Sequence, residues 1–186
     1  MNEENGRRFY VITGGPGSGK STLIDALAAR GLRTMPEAGR AIIRDQAAIG
    51  GSAGPWADRA AFAELMLGWE MRSYREAGRL EGPVVFDRGV PDVAGYLRLC
   101  GLPVPEHVKR AVEVFRYHTR VLIAPHWPEI FGQDAERKQS AEEAVATYDS
   151  LAQTYTEAGY ELVELPKASV EERVRFVMSR IETGRA

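Results

Sequence analysis

Cysteine is almost absent from this sequence, since Cys100 is the only one in 186 residues. A lone cysteine excludes a disulfide within the chain and a zinc site built from several thiolates, so a reducing compartment is expected. Histidine is also scarce. None of the histidines has the spacing of metal ligands, and we interpret all three as structural: His107, His118 and His126.

Long apolar runs and an excess of positive charge are missing as well. No apolar run approaches the length that crosses a bilayer, and the polar residues 1–8 lack the apolar core of a signal peptide. The formal net charge is −2 and the isoelectric point is about 6.0, which argues against nucleic acid as a partner. We therefore expect a cytoplasmic protein that binds neither membranes nor nucleic acid.

Short apolar runs alternate with helix-forming segments along the whole length. The runs predict five strands, at residues 8–13, 32–35, 83–87, 121–124 and 161–165. Such alternation predicts a parallel sheet covered on both faces by helices, which is a three-layer α/β/α architecture. The length fits a single domain that covers residues 1–186.

The clearest predicted helix covers residues 58–78. Its apolar residues Phe62, Leu65, Met66 and Trp69 recur at helical spacing and predict a stripe that faces the core. Residues 38–48 predict a shorter helix that lies before it along the chain.

One motif lies between the first predicted strand and the first predicted helix. Residues 14–21 match the pattern G-x-x-x-x-G-K-[ST] in full. Glycines let the backbone wrap a phosphate closely, and successive N–H groups form an anion-binding nest at the positive end of a helix. Lys20 supplies charge to the β- and γ-phosphates and is a catalytic candidate, while Ser21 supplies a hydroxyl to Mg²⁺. The predicted nucleotide-binding residues of this loop are Gly14, Gly15, Gly17, Ser18, Gly19, Lys20, Ser21 and Thr22.

The alternative to a phosphate-binding loop is a chance glycine-rich turn. The motif, however, follows a predicted strand and opens a predicted helix, which is the context that a true phosphate loop requires. The sequence therefore predicts a P-loop NTPase fold that holds ATP or GTP with Mg²⁺.

The third predicted strand ends in a carboxylate at Asp87, the expected place of the other Mg²⁺-site residue. Hydrolytic P-loop machines commonly follow this Asp with a Glu that activates water, whereas Arg88 follows it here. A guanidinium cannot act as a general base, but it can clamp phosphate oxygens. The pair therefore favours transfer to an acceptor over hydrolysis and makes Arg88 a catalytic candidate. A local ion pair at the end of the strand is the alternative.

Other P-loop classes lack their marks in this sequence. No [NT]-K-x-D follows the fourth predicted strand, which argues against a GTPase, and the L-S-G-G-Q segment of transporter ATPases is absent. The length leaves no room for the helical domain that AAA+ machines add after their core.

The phosphate loop, Asp87-Arg88-Gly89 and the late basic segment around Arg137 resemble the nucleoside and nucleotide kinase superfamily. Within it, the chain is most similar to small P-loop proteins labelled AAA-type ATPases, a group that includes the ribosylnicotinamide kinase domain of bifunctional NAD-biosynthesis proteins. The resemblance extends over nearly the whole chain.

The resemblance implies a catalytic base and a lid. Glu37 follows the second strand, where related kinases place a carboxylate near the acceptor hydroxyl, so it is the candidate base. A carboxylate that stabilises the start of a helix is the alternative. Residues 126–139 occupy the place of a mobile lid, from which Arg137 would close over the transferring phosphate. A solvated loop charge is the alternative for Arg137.

The resemblance implies where the nucleotide lies, and the general rule for open parallel sheets indicates where the acceptor lies. The loop with Lys167 and Ala168 borders the adenine in such kinases, although a plain turn with Ser169 as helix cap is an equal alternative. The acceptor is expected at the carboxyl ends of the strands, walled by the helices at 38–48 and 58–78. The predicted acceptor-binding residues are Arg40, Arg44 and Arg72.

The leading hypothesis is a kinase that uses ATP and Mg²⁺ on a small nucleoside-like or nucleotide acceptor. The alternative from another class is an ATP-binding regulatory protein with slow ATPase activity. A kinase of nucleic-acid ends is third, and the missing basic stripe counts against it. The identity of the acceptor and the oligomeric state are left open by the sequence.

Overall fold

Five strands form one parallel sheet in the computed structural model, which describes residues 3–130 and 140–182. In chain order they are β1 (Phe9–Gly14), β2 (Arg33–Met35), β3 (Val84–Asp87), β4 (Arg120–Ala124) and β5 (Glu161–Glu164). Across the sheet they follow the order β2-β3-β1-β4-β5, and every neighbouring pair is parallel. The predicted α/β/α fold with a five-stranded parallel sheet is confirmed.

Helices connect and cover these strands. Those in the described residues are α1 (Glu3–Arg8), α2 (Lys20–Ala29), α3 (Ala38–Ile49), α4 (Arg59–Ala77), α5 (Val90–Leu99), α6 (Glu106–Val114), α7 (Ala141–Glu157) and α8 (Val170–Glu182). Within that part of the chain, none of them combines the length and the apolar character needed to cross a bilayer.

The two faces of the sheet bury alternate residues of the same strands, because successive side chains of a strand point in opposite directions. Phe9 and Val11 of β1 pack with α4, α5, α6 and α7, whereas Tyr10 and Ile12 pack with α2 and α8. All six residues of β1 are buried. A strand covered on both faces reads as a continuous apolar run, which is why the sequence predicts it well.

The topology brings the carboxyl ends of β1 and β3 together. Ile12 of β1 is in register with Asp87 of β3, and the Arg88 N–H donates to the Ile12 carbonyl at 3.0 Å. Since β1 leads directly into residues 14–21, the motif loop lies beside Asp87 and Arg88. Open parallel sheets bind their ligands at this edge.

Two helices and one side chain differ from the predictions made from the sequence. The polar residues before β1 form α1, and α5 starts only three residues after β3. Pro91 lies in the first turn of α5, where its missing N–H is no loss, but a glycine and a proline only two residues apart also resemble a turn. Leu65, predicted for the apolar stripe of α4, is 41% exposed, and Leu67 and Tyr74 face the core instead.

The close approach of β1 to β4 generates a testable prediction at Gly14. Its φ is 129°, and a Cβ there would lie 2.4 Å from the carbonyl oxygen of Ala124. Gly14→Ala would force two central strands apart, so we expect it to lower the free energy of unfolding by about 3 kcal/mol or more. Urea unfolding followed by circular dichroism measures this loss.

Gly31→Ala is the matched control for this substitution. Gly31 also has a positive φ, 87°, but nothing lies within 4 Å of the position of its Cβ. Only the backbone conformation resists the new side chain, and we expect a loss of about 1 kcal/mol. Equal losses for the two variants would contradict the steric account of Gly14.

Candidate active site

The loop between β1 and α2 has the backbone geometry of an anion-binding site. Gly17 and Gly19 have φ values of 75° and 72°, in the left-handed region that glycine adopts without strain. Gly19 directly precedes α2, whose N-terminus is the positive end of the helix. The buried Ser18 Oγ donates to the Gly15 carbonyl at 2.8 Å and holds the turn. This arrangement suits a phosphate group.

Lys20 is buried inside this loop. Its Nζ donates to the carbonyl oxygens of Gly14 at 3.0 Å and Gly15 at 2.9 Å. Burial lowers the pKa of Lys20 to about 8, and the positive charge of Arg88 adds to the effect, while Asp87 partly opposes it. A phosphate oxygen would be a stronger partner for this ammonium than two neutral carbonyls, because charge-assisted hydrogen bonds are the stronger ones.

The predicted metal residues, Ser21 and Asp87, differ in their surroundings. Ser21 and the neighbouring Thr22 are exposed on the first turn of α2. Asp87 is buried, and its Oδ1 has no hydrogen-bond partner in the described structure. Such an orphaned carboxylate oxygen fits a Mg²⁺ ligand. No cluster of three or more His, Cys, Asp or Glu side chains that could hold a metal occurs in the described residues.

Arg88 links the elements around the loop. Its φ of 74° lies in the left-handed region, as for no other non-glycine residue in the described parts of the chain. Its Nε donates to Glu37 Oε1 at 3.0 Å, and its Nη1 donates to Asp92 Oδ1 at 3.1 Å. Burial acts to lower the pKa of Arg88, but Glu37 and Asp92 outweigh burial and raise it. The ion pair therefore forms with these two carboxylates rather than with Asp87.

Asp92 holds the Arg88 guanidinium from the side of α5. Besides Arg88, its oxygens accept hydrogen bonds from the hydroxyls of Thr13 and Tyr155 and from the Gly89 N–H at 2.9 Å. The sequence-based reasoning missed Asp92 because it did not predict α5. Asp92 lies four residues after Arg88. If a helix had been predicted here, this spacing would have indicated an ion pair between the two side chains.

Glu37 directly precedes α3, but its side chain does not cap that helix. It is directed to Arg88 instead, and Arg40 Nε lies 3.6 Å from its other oxygen. Burial acts to raise the pKa of Glu37, but Arg88 and Lys20 outweigh it and lower the pKa. The carboxylate is therefore ionised at neutral pH, and the structure brings the candidate catalytic residues Lys20, Glu37 and Arg88 together.

The other predicted acceptor residues lie outside this cluster. Arg44 is exposed on α3, and Arg72 is exposed on α4, where it pairs with Glu76 at 2.8 Å. Of the predicted acceptor arginines, only Arg40 contacts a residue of the cluster in the described structure.

Of the predicted nucleotide-binding residues outside the phosphate loop, Lys167 and Ala168 lie in the described part of the chain. Lys167 is exposed and Ala168 half-buried in the loop before α8. Ser169 accepts a hydrogen bond from the Glu172 N–H at 3.3 Å, so the loop also caps α8, as the alternative predicted. Arg137 lies outside the described residues.

Arg173 of α8 is a further residue that the sequence-based reasoning missed. It is buried, its Nη1 donates to the Gly19 carbonyl at 3.3 Å, and its Nε has no partner in the described structure. The guanidinium also lies 5.8 Å from the ring centroid of Trp127. A buried cation of this kind, beside the phosphate loop, fits an anionic ligand. Arg173 and Gly19 are 154 residues apart along the chain, so no local sequence pattern could have indicated their contact.

A family model described as an AAA domain matches residues 9–173. The chain belongs to this AAA-domain family. The matched region of the AAA-domain chain begins at the first residue of β1 and contains the phosphate loop, Glu37, Asp87 and Arg88. No curated protein matches the sequence.

Solved structures share the fold of the AAA-domain chain. Deoxyadenosine kinase from M. mycoides with bound dATP is 13% identical, with 94% of this chain and 99% of that chain covered and a TM-score of 0.59. Thymidylate kinase from Ehrlichia chaffeensis is 12% identical, with 95% and 99% covered and a TM-score of 0.63. NadR protein in complex with NR is 19% identical, with 95% and 52% covered and a TM-score of 0.67.

The AAA-domain chain therefore spans about half the length of that NadR protein and nearly all of the two kinases. Identities this low establish the shared fold. The predicted similarity to AAA-type proteins is confirmed by the family model, and the predicted fold is the one that these kinases share.

The buried carboxyl of Asp87 generates a prediction about pH. Burial raises the pKa of Asp87 from 3.8 to about 6, and Lys20 offsets only part of this. The pKa of Asp87 is higher in the folded state than in the unfolded state. Protonation of Asp87 therefore stabilises the fold fully below about pH 4, and this stabilisation is lost as the pH rises through about 6. Asp87→Asn removes the titration and keeps the shape.

We expect the free energy of unfolding of Asp87→Asn to exceed that of the wild type by about 1–3 kcal/mol near pH 7.5, and by much less near pH 4.5. Urea unfolding of both proteins at the two pH values measures the difference. A difference that stays constant with pH would show that the folded structure does not disfavour the Asp87 carboxylate.

Proposed function

We propose that this protein is a kinase that transfers the γ-phosphoryl group of ATP to a hydroxyl of a small nucleoside-like or nucleotide acceptor, with Mg²⁺. The observation that carries the proposal is the half-buried guanidinium of Arg88, held between Glu37 and Asp92 beside the phosphate loop. A water-activating base would be needed for a hydrolytic enzyme, and a permanently charged guanidinium cannot serve as one. It can instead stabilise charge on a phosphoryl group during transfer.

The donor side of the site suits a nucleoside triphosphate. Lys20 would exchange its two carbonyl partners for the β- and γ-phosphate oxygens, and Ser21 and Asp87 would hold the metal ion. When bound, Mg²⁺ neutralises developing charge on the phosphates. The buried Arg173, beside Gly19, is a further donor-side group. The deoxyadenosine kinase of the same fold was solved with dATP, which supports the binding of an adenine nucleotide by this fold.

The acceptor side supplies a base and a clamp. As the acceptor oxygen bonds to the γ-phosphorus, the bond from that phosphorus to the β–γ bridging oxygen breaks and ADP leaves. The hydroxyl proton passes to the Glu37 carboxylate, which its neighbours Arg88 and Lys20 keep ionised. In a loose transition state this proton moves late, so a weak base suffices. Arg40 is the arginine that we propose as the main contact with the acceptor, because its Nε lies 3.6 Å from a carboxylate oxygen of Glu37.

Several of the sequence-based expectations stay part of this proposal. Arg137 would close over the transferring phosphate, Lys167 and Ala168 would border the adenine, and the protein would act in the cytoplasm. Arg44 and Arg72 would reach the acceptor only through rearrangement of their exposed side chains.

Glu37→Gln tests the proposed base. The variant keeps the shape and an oxygen acceptor for Arg88 but cannot take the proton, so we expect turnover to fall by about 10²–10⁴-fold while Mg·ATP affinity changes little. Turnover with a panel of nucleosides and nucleoside monophosphates, and ATP binding by calorimetry, measure the two effects. Unchanged turnover would remove Glu37 from the mechanism.

Two further variants calibrate this experiment. Lys20→Ala removes the charge inside the phosphate loop and should abolish nucleotide binding in the same calorimetric assay. Glu113→Gln is the matched control, because Glu113 is an exposed glutamate on α6 that pairs with Arg110, and both activities should persist. ATP hydrolysis that is indifferent to every acceptor would instead favour a regulatory protein with slow ATPase activity.

A further inference from the structure

Arg173 of α8 is a buried cation without a counter-ion among the described residues. Its exposed fraction is 2%, its Nη1 donates to the Gly19 carbonyl at 3.3 Å, and its Nε has no hydrogen-bond partner there. Burial alone lowers the pKa of Arg173, since no neighbouring carboxylate raises it. The guanidinium nevertheless stays charged, because arginine is not deprotonated in proteins. Buried charges are ordinarily paired, so this one lacks the partner that would offset its burial.

The acidic neighbours of Arg173 on α8 pair with other groups. Glu171 forms an ion pair with Arg30 at the surface. Glu172 accepts a hydrogen bond from the Ser169 N–H at 3.0 Å. The chain therefore offers two carboxylates next to Arg173, and the fold uses neither of them to neutralise its guanidinium.

Two helices begin close to this guanidinium. Gly19 directly precedes α2, and Arg173 is the fourth residue of α8, near an end of the helix where a cation is unfavourable. Lys20, the first residue of α2, adds a further positive charge. An anion bound at the phosphate loop would interact favourably with all of these charges, whereas in the free protein they repel one another.

The contacts of Arg173 allow it to act on such an anion from where it lies. The ring centroid of Trp127 is 5.8 Å from the guanidinium, and a Cβ on Gly19 would lie 2.8 Å from Nη1 and 3.1 Å from Ile130 Cδ1. A charge acts through space, and in a protein interior its effect extends over several ångströms. Phosphates held by the backbone N–H groups of residues 14–21 would lie within this range without displacing Trp127.

We propose that the phosphates of the donor nucleotide are the counter-ion of Arg173, whose charge acts on them across the backbone of Gly19 without direct contact. The charge raises the affinity of the loop for polyphosphates, and the base and ribose of the ligand are not required for this effect. The inference rests on the nucleotide site of the proposed function. It adds a residue from outside the phosphate-loop motif that sets the preference of this site for ligands with several phosphates.

Arg173→Met tests the assignment, because it removes the charge and keeps much of the apolar bulk. We expect the affinities for ATP, ADP and inorganic tripolyphosphate, measured by calorimetry, to fall by about 10–100-fold each. Without ligand, the melting temperature of this variant should equal or exceed that of the wild type, because an unpaired buried charge is gone. Arg173→Lys keeps the charge and should bind tripolyphosphate within about threefold of the wild type.

Arg175→Met is the matched control. Arg175 lies on the same helix, its side chain is 65% exposed, and it pairs with Glu171 at 3.7 Å. A charge so exposed is screened by solvent, so the three affinities and the melting temperature should match those of the wild type.

The outcomes separate a role of the charge from the alternatives. Unchanged affinity for tripolyphosphate in Arg173→Met would overturn the proposal even if ATP binding weakens, because the guanidinium would then act on the base. Equal losses in the Met and Lys variants, or a lower melting temperature of the ligand-free Met variant, would overturn it in favour of a packing role.

These measurements need no acceptor, so the kinase function and the role of Arg173 can fail separately. A wild type that binds ATP and phosphorylates no acceptor fails only as a kinase, and the affinities still decide the role of Arg173. A wild type that binds neither ATP nor tripolyphosphate overturns the nucleotide site and this inference together.

Discussion

The site depends on one interaction, the half-buried guanidinium of Arg88 held between Glu37 and Asp92. These three residues come from the end of β3, the start of α3 and the first turn of α5, so a single group fixes the relation of three elements. Its backbone is in a left-handed conformation that costs about 1–2 kcal/mol for a residue with a side chain. Removal of the guanidinium would leave the buried carboxylate of Asp92 without this counter-ion and the half-buried Glu37 with Arg40 alone, which is destabilising.

Two charged residues of the site lack strong partners within the described part of the protein. Asp87 keeps one carboxylate oxygen without a partner, and Lys20 is directed to carbonyl groups of its own loop. These polar groups lower the stability of the fold. Burial of the apolar central strand β1 on both faces offsets this loss. Preorganised polar groups of this kind are what an enzyme needs to stabilise charge during phosphoryl transfer, because they do not have to reorganise when the substrate arrives.

The sequence was informative where a property is local. Continuous apolar runs mark strands buried on both faces, and the phosphate loop is a contiguous motif, so both could be predicted. Arg88 next to Asp87 was also visible, but its partners were not. Asp92 lies on a helix whose start, with Gly89 and Pro91, resembles a turn, and Arg173 reaches Gly19 through the tertiary fold alone. The helical period placed Leu65 inward, whereas the packing of α4 against α5 turns it to solvent.

The central claim is that the site directs the γ-phosphoryl group to an acceptor rather than to water. A single-turnover experiment with γ-labelled ATP and Mg²⁺, with and without a saturating nucleoside, follows the label most directly. The account predicts that the nucleoside accelerates ATP consumption and that the label appears on the nucleoside. Label found only in inorganic phosphate, released at a rate that no acceptor changes, would contradict it.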